Sequence, residues 1–435
     1  MKKGEQMTYE EALTYIHSIV WRGKRVGLSR ITELLRRMEN PERKLRFVHI
    51  AGTNGKGSTA VMLASILQAA GFHTGLFISP FIHCFNERMQ IDGSPITDEE
   101  LIELTARIRP LAESMEDKPT EFELITALAF SYFHKNRCDI VVLEVGLGGE
   151  LDSTNVIGTP EAAVITALGM DHTRELGDTI REIARAKAGI IKEGGDVIFY
   201  GRNQEALSVI REAAKTKNNT LMIPDYQSLR LQKRDLSGQS FSYGRYSNLQ
   251  IRLLGTYQVN NAAVVIETIE VLRKRGWAVS DEALRKGLLS ARWTGRLELV
   301  RDHPRVFVDG SHNPQGVQAT AKSLRTYFPQ ENIIFLTGVL ADKDVAGMMC
   351  ELPELARCFI TVKPPGMRGM EAEELAQCLR RLTDKKVQAA ESLEEGCMLA
   401  LAEAGEDGVI CAIGSLYMVG ELTKIFQRLL PQNER

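Results

Sequence analysis

No two of the seven cysteines (Cys84, Cys138, Cys350, Cys358, Cys378, Cys397 and Cys411) form a CxxC pair. An odd, scattered set builds neither a disulfide framework nor a zinc site, and suits reduced thiols in the cytosol. No uncharged apolar run approaches the roughly 18 residues that a membrane helix needs. Lys2 and Lys3 are followed by Glu5, Glu10 and Glu11 rather than by an apolar stretch, so no secretory signal is expected. The formal net charge is only -2. That leaves no global basic field for nucleic acid or a membrane surface, while a local basic pocket for an acidic substrate stays open. No internal repeat or low-complexity tract stands out. What is there is an ordinary globular balance, 44% hydrophobic and 25% charged over 435 residues. Two or three domains, each with a sizeable core, are expected.

Strand-like apolar runs alternate with amphipathic stretches from end to end, which predicts an α/β fold. Phe47–Ala51 reads as a strand feeding a glycine-rich loop, and Ser58–Ala70 as the helix after it, stopped by Gly71. Leu76–Ser79 and Ala163–Leu168 read as further strands, and Glu121–Lys135 as a helix. Asp139–Val145 is a continuous apolar run, as expected of a strand buried on both faces of a parallel sheet. Between Gln227 and Leu254 the chain turns polar, and strands or an exposed insert are expected. A second α/β rhythm follows residues 292–297, where a domain boundary is placed. Its strands are expected at Arg305–Asp309, Asn332–Gly338, Cys358–Val362 and Gly408–Ile413. Its helices are expected at Pro314–Tyr327, Ala372–Arg381 and Ser415–Leu430.

The most informative segment is His49-Ile50-Ala51-Gly52-Thr53-Asn54-Gly55-Lys56-Gly57-Ser58-Thr59. Glycines let the backbone curl so that several N–H groups converge on phosphate oxygens. The helix that follows points its positive dipole end at the same anion. Lys56 can add a point charge on terminal phosphates, and Ser58 or Thr59 can meet Mg²⁺. The strict Walker A order is not met, because Gly57 separates Lys56 from Ser58. A glycine-rich turn without a ligand is the bland alternative, and the strand–loop–helix context with its lysine weighs against it.

Glu144 ends an apolar run just before Gly146-Leu147-Gly148-Gly149. A carboxylate there is costly unless paired or bound to metal. It falls at the C-terminal end of a parallel strand, where open α/β sheets hold ligands. The alternative is a carboxylate satisfied by loop amides. His172, in Met170-Asp171-His172-Thr173, also follows a strand and can bind metal or orient a phosphate, or simply pack. Lys187 sits among Ala186, Ala188 and Gly189 and can equally be a surface helix lysine. Asp309-Gly310-Ser311-His312-Asn313-Pro314 follows a strand and can cap the helix that Pro314 starts, or hold an anion there.

Together these segments resemble the Mur ligase superfamily, most closely its folylpolyglutamate synthase and dihydrofolate synthase branch, over nearly the whole chain. The other matching segments include Asn40-Pro41-Glu42-Arg43-Lys44, Ser79-Pro80, Phe85-Asn86-Glu87-Arg88, Phe122-Glu123 and Leu151-Asp152-Ser153-Thr154-Asn155. Further on they include KAGIIK at 187–192, Tyr257-Gln258 with Asn260-Asn261, ARWTGRLE at 291–298, Asp342-Lys343-Asp344 and Gly414-Ser415-Leu416-Tyr417. The ordered combination is specific, although each piece alone is not. The resemblance implies an N-terminal P-loop ATPase domain over 1–295, with a mostly parallel sheet and an N-terminal substrate segment. It implies a smaller Rossmann-like glutamate-ligase domain over 296–435.

Carried over by position, Thr53, Asn54, Gly55, Lys56, Gly57, Ser58 and Thr59 are similar to the family's ATP phosphate loop. Ser58, Ser79, Glu144 and His172 are similar to its Mg²⁺ ligands, which serve two ions. Lys187 resembles the lysine that the family carbamylates with CO₂. Asn261 resembles an adenine contact and Arg296 a nucleotide phosphate contact, while Asp309 and His312 resemble the second-domain side of the site. The catalytic set implied is Lys56, Lys187 and His312. Phe122, Glu123, Leu151, Asp152 and Ser153 fall where the family holds its pterin, and Gly27 and Leu28 in its N-terminal substrate segment. Three positions depart from the pattern. Glu150 stands where many relatives have Arg, Phe81 where some have His, and Thr294 where the hinge usually has Pro.

The resemblance implies that ATP phosphorylates a substrate carboxylate and that the amino group of L-glutamate attacks the acyl phosphate. Phosphoryl transfer needs positioning and charge neutralisation more than covalent help, which suits these residue types. Two domains can close to keep water from the acyl phosphate. The partners implied are ATP, L-glutamate and a reduced folate or dihydropteroate, for a cytoplasmic monomer without nucleic acid or membrane. Two competing expectations are a Mur-type ligase for a peptidoglycan nucleotide or an amino-acid polymer, and a nucleotide-binding switch that ligates nothing. Phe122-Glu123 speaks against the first. The set Lys56, Glu144, His172, Lys187 and His312 speaks against the second.

Overall fold

The computed structural model describes residues 7–18, 27–330 and 332–429. Lys2, Lys3 and Glu5, on which the expectation of no secretory signal partly rests, and Leu430, expected to end the last helix, lie outside them. Among the described residues no helix is long and apolar enough to cross a membrane, and all seven cysteines are free.

The chain forms an α/β structure that divides into two compact units, and the division is discontinuous. One unit runs to Ser228 and resumes over Asn260–Ala291; the other holds Leu229–Val259 and everything from Arg292. The segment 229–259, expected within the first domain, therefore goes with the second unit.

The first unit is built on eight strands: β1 (Phe47–Ala51), β2 (Thr74–Phe77), β3 (Met89–Ile91), β4 (Ser94–Pro95), β5 (Ile140–Glu144), β6 (Ala162–Ile165), β7 (Asp196–Phe199) and β8 (Thr220–Met222). Their order is β4-β3-β2-β5-β1-β6-β7-β8. The run from β2 to β8 is parallel, and β3 and β4 add an antiparallel edge. β1 and β5 are buried at every residue, which is why their sequences are apolar without alternation. Helix Glu121–Lys135 packs Leu124, Phe130 and Phe133 into the core beside Phe47, Phe77 and Val141. A second core, with Ile165, Ile190, Ile191 and Phe199, serves β6 and β7. The register pairs Ile50 with Glu144, so the carboxylate sits level with the start of the glycine-rich loop.

In the second unit, β9 (Arg230–Asp235), β10 (Gly238–Tyr243) and β11 (Tyr246–Ile251) form an antiparallel three-stranded sheet. A six-stranded sheet follows: β12 (Glu298–Asp302), β13 (Arg305–Asp309), β14 (Ile333–Thr337), β15 (Ala356–Thr361), β16 (Lys386–Ala389) and β17 (Val409–Ile413). Its order is β12-β13-β17-β14-β15-β16, with only β12 antiparallel to its neighbour. The 229–259 segment is tied to this unit by packing and hydrogen bonds. Leu254 joins the core of Leu297, Phe307 and Phe328, and its carbonyl accepts from the Tyr327 hydroxyl at 2.5 Å. The Thr256 amide donates to the Ser323 hydroxyl at 3.0 Å.

Candidate active site

The glycine-rich loop leaves β1 at its C-terminal end and enters the helix Lys56–Ala69 through Gly55, whose φ of +89° favours glycine. A Cβ at Gly55 would lie 2.9 Å from Oδ1 of Asn261, so the loop and the Gln258–Lys274 helix approach each other closely. Asn261, expected at the adenine, thus abuts the phosphate loop. The loop is pinned from the β6 side. The amides of Thr53 and Asn54 donate to the carbonyl of Ala167 at 2.9 and 3.0 Å, and the Thr53 hydroxyl donates to the carbonyl of Gly169 at 3.0 Å.

Two lysines converge on one carbonyl. Lys56 Nζ donates to Gly52 O at 3.1 Å and Lys187 Nζ donates to the same oxygen at 2.8 Å. Lys187 lies in the last turn of the helix Ile180–Ala188 and is 5% exposed, which removes the surface-lysine alternative. Burial, and then the charge of Lys56, push its ammonium down to about 7, against the opposing pull of Asp171 and Asp152. A neutral amine is therefore accessible at ordinary pH, which a reaction with CO₂ requires. Ser58 is buried beside this cluster in sequence, and the Thr59 hydroxyl is buried with no hydrogen-bond partner.

Glu144 is 3% exposed at the end of β5, and its Oε2 accepts from the Ser79 amide at 3.2 Å. Ser79 and Glu144, both similar by position to the family's Mg²⁺ ligands, are thus adjacent. His172 is exposed, caps the short Thr173–Leu176 helix with a left-handed backbone, and lies 4.0 Å from Asp171 Oδ2. Among the described residues no group of three or more His, Cys, Asp or Glu side chains is placed to hold a metal. The donors present are one buried carboxylate and nearby hydroxyls. They are hard oxygens, which fit Mg²⁺ as an ion that completes its shell with water and phosphate oxygens.

The expected substrate residues divide. Gly146 lies against the Phe122 ring, with which a Cβ would collide. Leu147 and Leu151 are exposed beside it at 39% and 52%. Asp152 is turned inward. Its oxygens accept from the amides of Leu147 and Thr154 and from the Thr154 hydroxyl at 2.5 Å, and burial raises its pKa. Ser153 is buried in the turn that Asp152 caps. Glu123 is committed to a capping box with Thr120 and to a buried ion pair with Arg30 at 3.0 Å, a partner the sequence did not suggest. Leu28 caps the Ser29–Arg37 helix and Gly27 precedes it with φ +150°.

His49 was also missed. It is fully buried in β1, and burial pushes its imidazole down to about 3. Its Nε2 lies 2.9 Å from the Thr154 hydroxyl. Because that hydroxyl gives its one proton to Asp152, Nε2 must be the donor to it, and Nδ1 is left buried without a partner. A histidine inside a wholly apolar strand was the available signal. Of the departures, Phe81 packs on Phe85 under the Arg88 guanidinium, and Glu150 is exposed, its amide donating to Ala186 O.

In the second unit Asp309 ends β13 fully buried. Its Oδ2 accepts from the Leu297 amide at 2.7 Å and its Oδ1 from the Ser311 amide at 2.8 Å. Asn313 caps helix Pro314–Tyr327 through Gly316 N. His312 Nδ1 lies 2.8 Å from Gly310 O, which makes it the protonated nitrogen and leaves Nε2 as an acceptor in the neutral ring. Arg296 lies one residue before Leu297, which has φ +47°.

Residues 50–269 match the Mur ligase middle domain and residues 295–416 the Mur ligase glutamate ligase domain. The dihydrofolate synthase/folylpolyglutamate synthase of Bacillus subtilis (strain 168) is 38% identical over 427 residues, 96% of this chain and 98% of that one. Among solved structures, an FPGS–AMPPCP–folate complex is 36% identical, with a TM-score of 0.85 over 98% of this chain and 100% of that one. E. coli FolC in complex with DHPP and ADP is 28% identical, with a TM-score of 0.87 over 97% of this chain and 98% of that one.

Proposed function

This chain belongs to the Mur ligase family, in its folylpolyglutamate synthase and dihydrofolate synthase branch, and we infer that it is an ATP-dependent ligase adding L-glutamate to a folate through an acyl phosphate. ATP passes its terminal phosphoryl group to the substrate carboxylate and leaves as ADP. The amino nitrogen of glutamate attacks the acyl carbon, loses a proton as the amide forms, and inorganic phosphate departs. The observation that carries this reading is the pair of lysines, Lys56 and Lys187, on the Gly52 carbonyl at the mouth of the parallel sheet. Lys56, bonded to carbonyls of the glycine-rich loop, offers there the positive charge that a polyphosphate neutralises.

Thr53 to Thr59 are proposed to hold the ATP phosphates. Ser58, Ser79, Glu144 and His172 are proposed to hold Mg²⁺, which when bound supplies positive charge against phosphate oxygens. The near-neutral amine of Lys187 supports a carbamate there, an anion that would answer Lys56 rather than repel it. Phe122 and the exposed Leu147 and Leu151 are proposed to face the ring end of the substrate, with Asp152 and Ser153 shaping the loop beneath. In the second unit Arg296, Asp309 and His312 keep the nucleotide- and glutamate-side roles that the resemblance gives them.

Dihydropteroate is proposed as a second acceptor. The combined name of the Bacillus subtilis relative and the DHPP complex of the E. coli neighbour support it. The enzyme is proposed to work as a cytoplasmic monomer. The test is ADP release with ATP and glutamate, and separately with tetrahydrofolate or dihydropteroate. Release that requires both glutamate and a pteroate-type acceptor is expected. Release that ignores either one would overturn the reading. Glu144→Gln should raise the Mg²⁺ concentration needed for half activity, and an unchanged titration would assign that carboxylate to structure.

A further inference from the structure

The helix Glu121–Lys135 has its first turn, with Phe122, at the proposed substrate end. Its last turn, with His134, lies about 18 Å further along the axis at 1.5 Å per residue. A cavity of about 430 Å³ opens at that far end. Part of its wall is the Asn40–Lys44 segment, which carries family resemblance but has no role in the proposed reaction.

Arg37, Lys44, Arg107 and Lys135 line the cavity, with Glu39 as its one carboxylate. Two of these cations are already accounted for. Arg37 pairs with Glu33 at 2.8 Å and donates to the Ser114 hydroxyl at 2.6 Å, and Lys135 pairs with Glu103 at 2.6 Å. Both close a helix, where the dipole favours a cation. Arg107 and Lys44 are different. Arg107 stands inside the helix Asp98–Glu113, and its guanidinium is held by the buried Ser131 hydroxyl. Among the described residues neither Arg107 nor Lys44 has a carboxylate within ion-pair distance; exposed Glu103, already bonded to Lys135, feels Arg107, and buried Glu42 feels Lys44. After burial, the charges of Lys44 and Arg107 hold the half-buried His134 imidazole below its ordinary value. The rest of the wall is apolar: Met38, Pro41, Ile108 and Leu111.

We propose that this cavity binds an organic phosphate monoester. Its phosphate lies between Arg107 and Lys44 with neutral His134 as a further donor, and its apolar body lies against the partly exposed Met38 and Leu111. Two unpaired cations match a phosphate ester of charge about -1.5 to -2, where a lone carboxylate would answer only one of them. Inorganic phosphate would leave the apolar wall uncovered, and the volume falls within the roughly 300–1,000 Å³ of small-ligand sites.

The test uses the full-length protein with its phosphate loop filled by a non-hydrolysable ATP analogue. Phenyl phosphate is the probe, followed by calorimetry and by the ring resonances of ¹³C-labelled histidines. Saturable binding at about 1–10 mM is expected of a probe this small. The His134 resonance should shift and its titration midpoint should rise, because the bound anion offsets Lys44 and Arg107. Arg107→Glu and, separately, Lys44→Glu should each weaken binding by at least about tenfold, as loss of a charge-assisted contact requires. Each should leave thermal unfolding and ligase turnover near wild type. Inorganic phosphate and benzoate should bind several-fold more weakly. Failure to saturate, binding untouched by both charge reversals, or binding abolished instead by Lys56→Ala would overturn the site. Benzoate binding as tightly as phenyl phosphate would overturn its assignment to phosphate esters.

Discussion

The turn from Gly52 to Lys56 after β1 and the turn from Asp309 to Pro314 after β13 each join a buried parallel strand to a helix, and they treat charge in opposite ways. In the first, two lysines share one carbonyl oxygen and a threonine hydroxyl is buried without a partner. In the second, both carboxylate oxygens of Asp309 accept a backbone amide and Asn313 caps the helix. In the glycine-rich turn the proposed ATP phosphates would meet the charge of Lys56. In the Asp309 turn the carboxylate charge is met by the protein's own amides. The two turns thus differ in whether backbone amides or a bound partner would meet the charge they carry.

That contrast can be broken most sharply at Lys56. Lys56→Ala should lower turnover by at least about 10²-fold, the usual effect of losing one preorganised charge contact. Its unfolding transition should stay close to wild type, because the side chain is bonded only to loop carbonyls. Near-normal turnover in steady-state assays would take Lys56 out of the phosphate site. The opposite pattern is expected at Asp309. Asp309→Ala strands the buried amides of Leu297 and Ser311, which should cost about 2–6 kcal/mol in denaturant unfolding at about 1–3 kcal/mol per orphaned group. A variant that loses turnover while unfolding at the wild-type midpoint would show that Asp309 acts on substrate rather than on the fold.

The two turns were also unequally legible in sequence. The phosphate loop declared itself because its signals are local: glycines between an apolar strand and a helix, with a lysine among them. Glu144 was legible for a similar reason, as a charge at the end of a run that is apolar throughout. Lys187 reaches Gly52 across 135 residues of chain, a contact no local pattern carries, and only the family resemblance singled it out. Glu123 was expected at the substrate, but the sequence held no sign of Arg30, which binds it from 93 residues away. The polar stretch from Gln227 to Leu254 read as strands or an exposed insert, and it forms three strands. The allegiance of the 229–259 segment to the second unit depends on Leu254, Thr256 and Tyr327, whose partners are set by tertiary packing. Strand ends drifted by a residue or two. Thr74 opens β2 because it pairs in register with Ile140, whereas Ser79, expected in that strand, lies beyond its end at Phe77.

The last prediction sharpens the contrast at its smallest effect, at Lys187. In the folded protein its ammonium deprotonates near pH 7, against an ordinary value of 10.5. Between those limits the unfolded chain holds a proton that the folded chain does not, so stability should rise with pH from about 7 to 10.5. Below pH 7 both states are protonated, and the full penalty of burying the charge remains. Lys187→Met keeps most of the side-chain volume and removes that charge. It should therefore stabilise the unmodified protein at pH 6–7 by about 1–2 kcal/mol, a deliberate discount on the 1.36 kcal/mol per pKa unit that the shift implies. It should also flatten the rise in stability between pH 7 and 10 while lowering turnover. Unfolding in urea across that pH range, in buffers purged of CO₂ so that the amine stays free, reads both effects. A variant that is less stable than wild type at pH 6, with the pH slope intact, would mean that the Lys187 ammonium is well solvated or well paired. It would then be no more strained than the charges around Asp309.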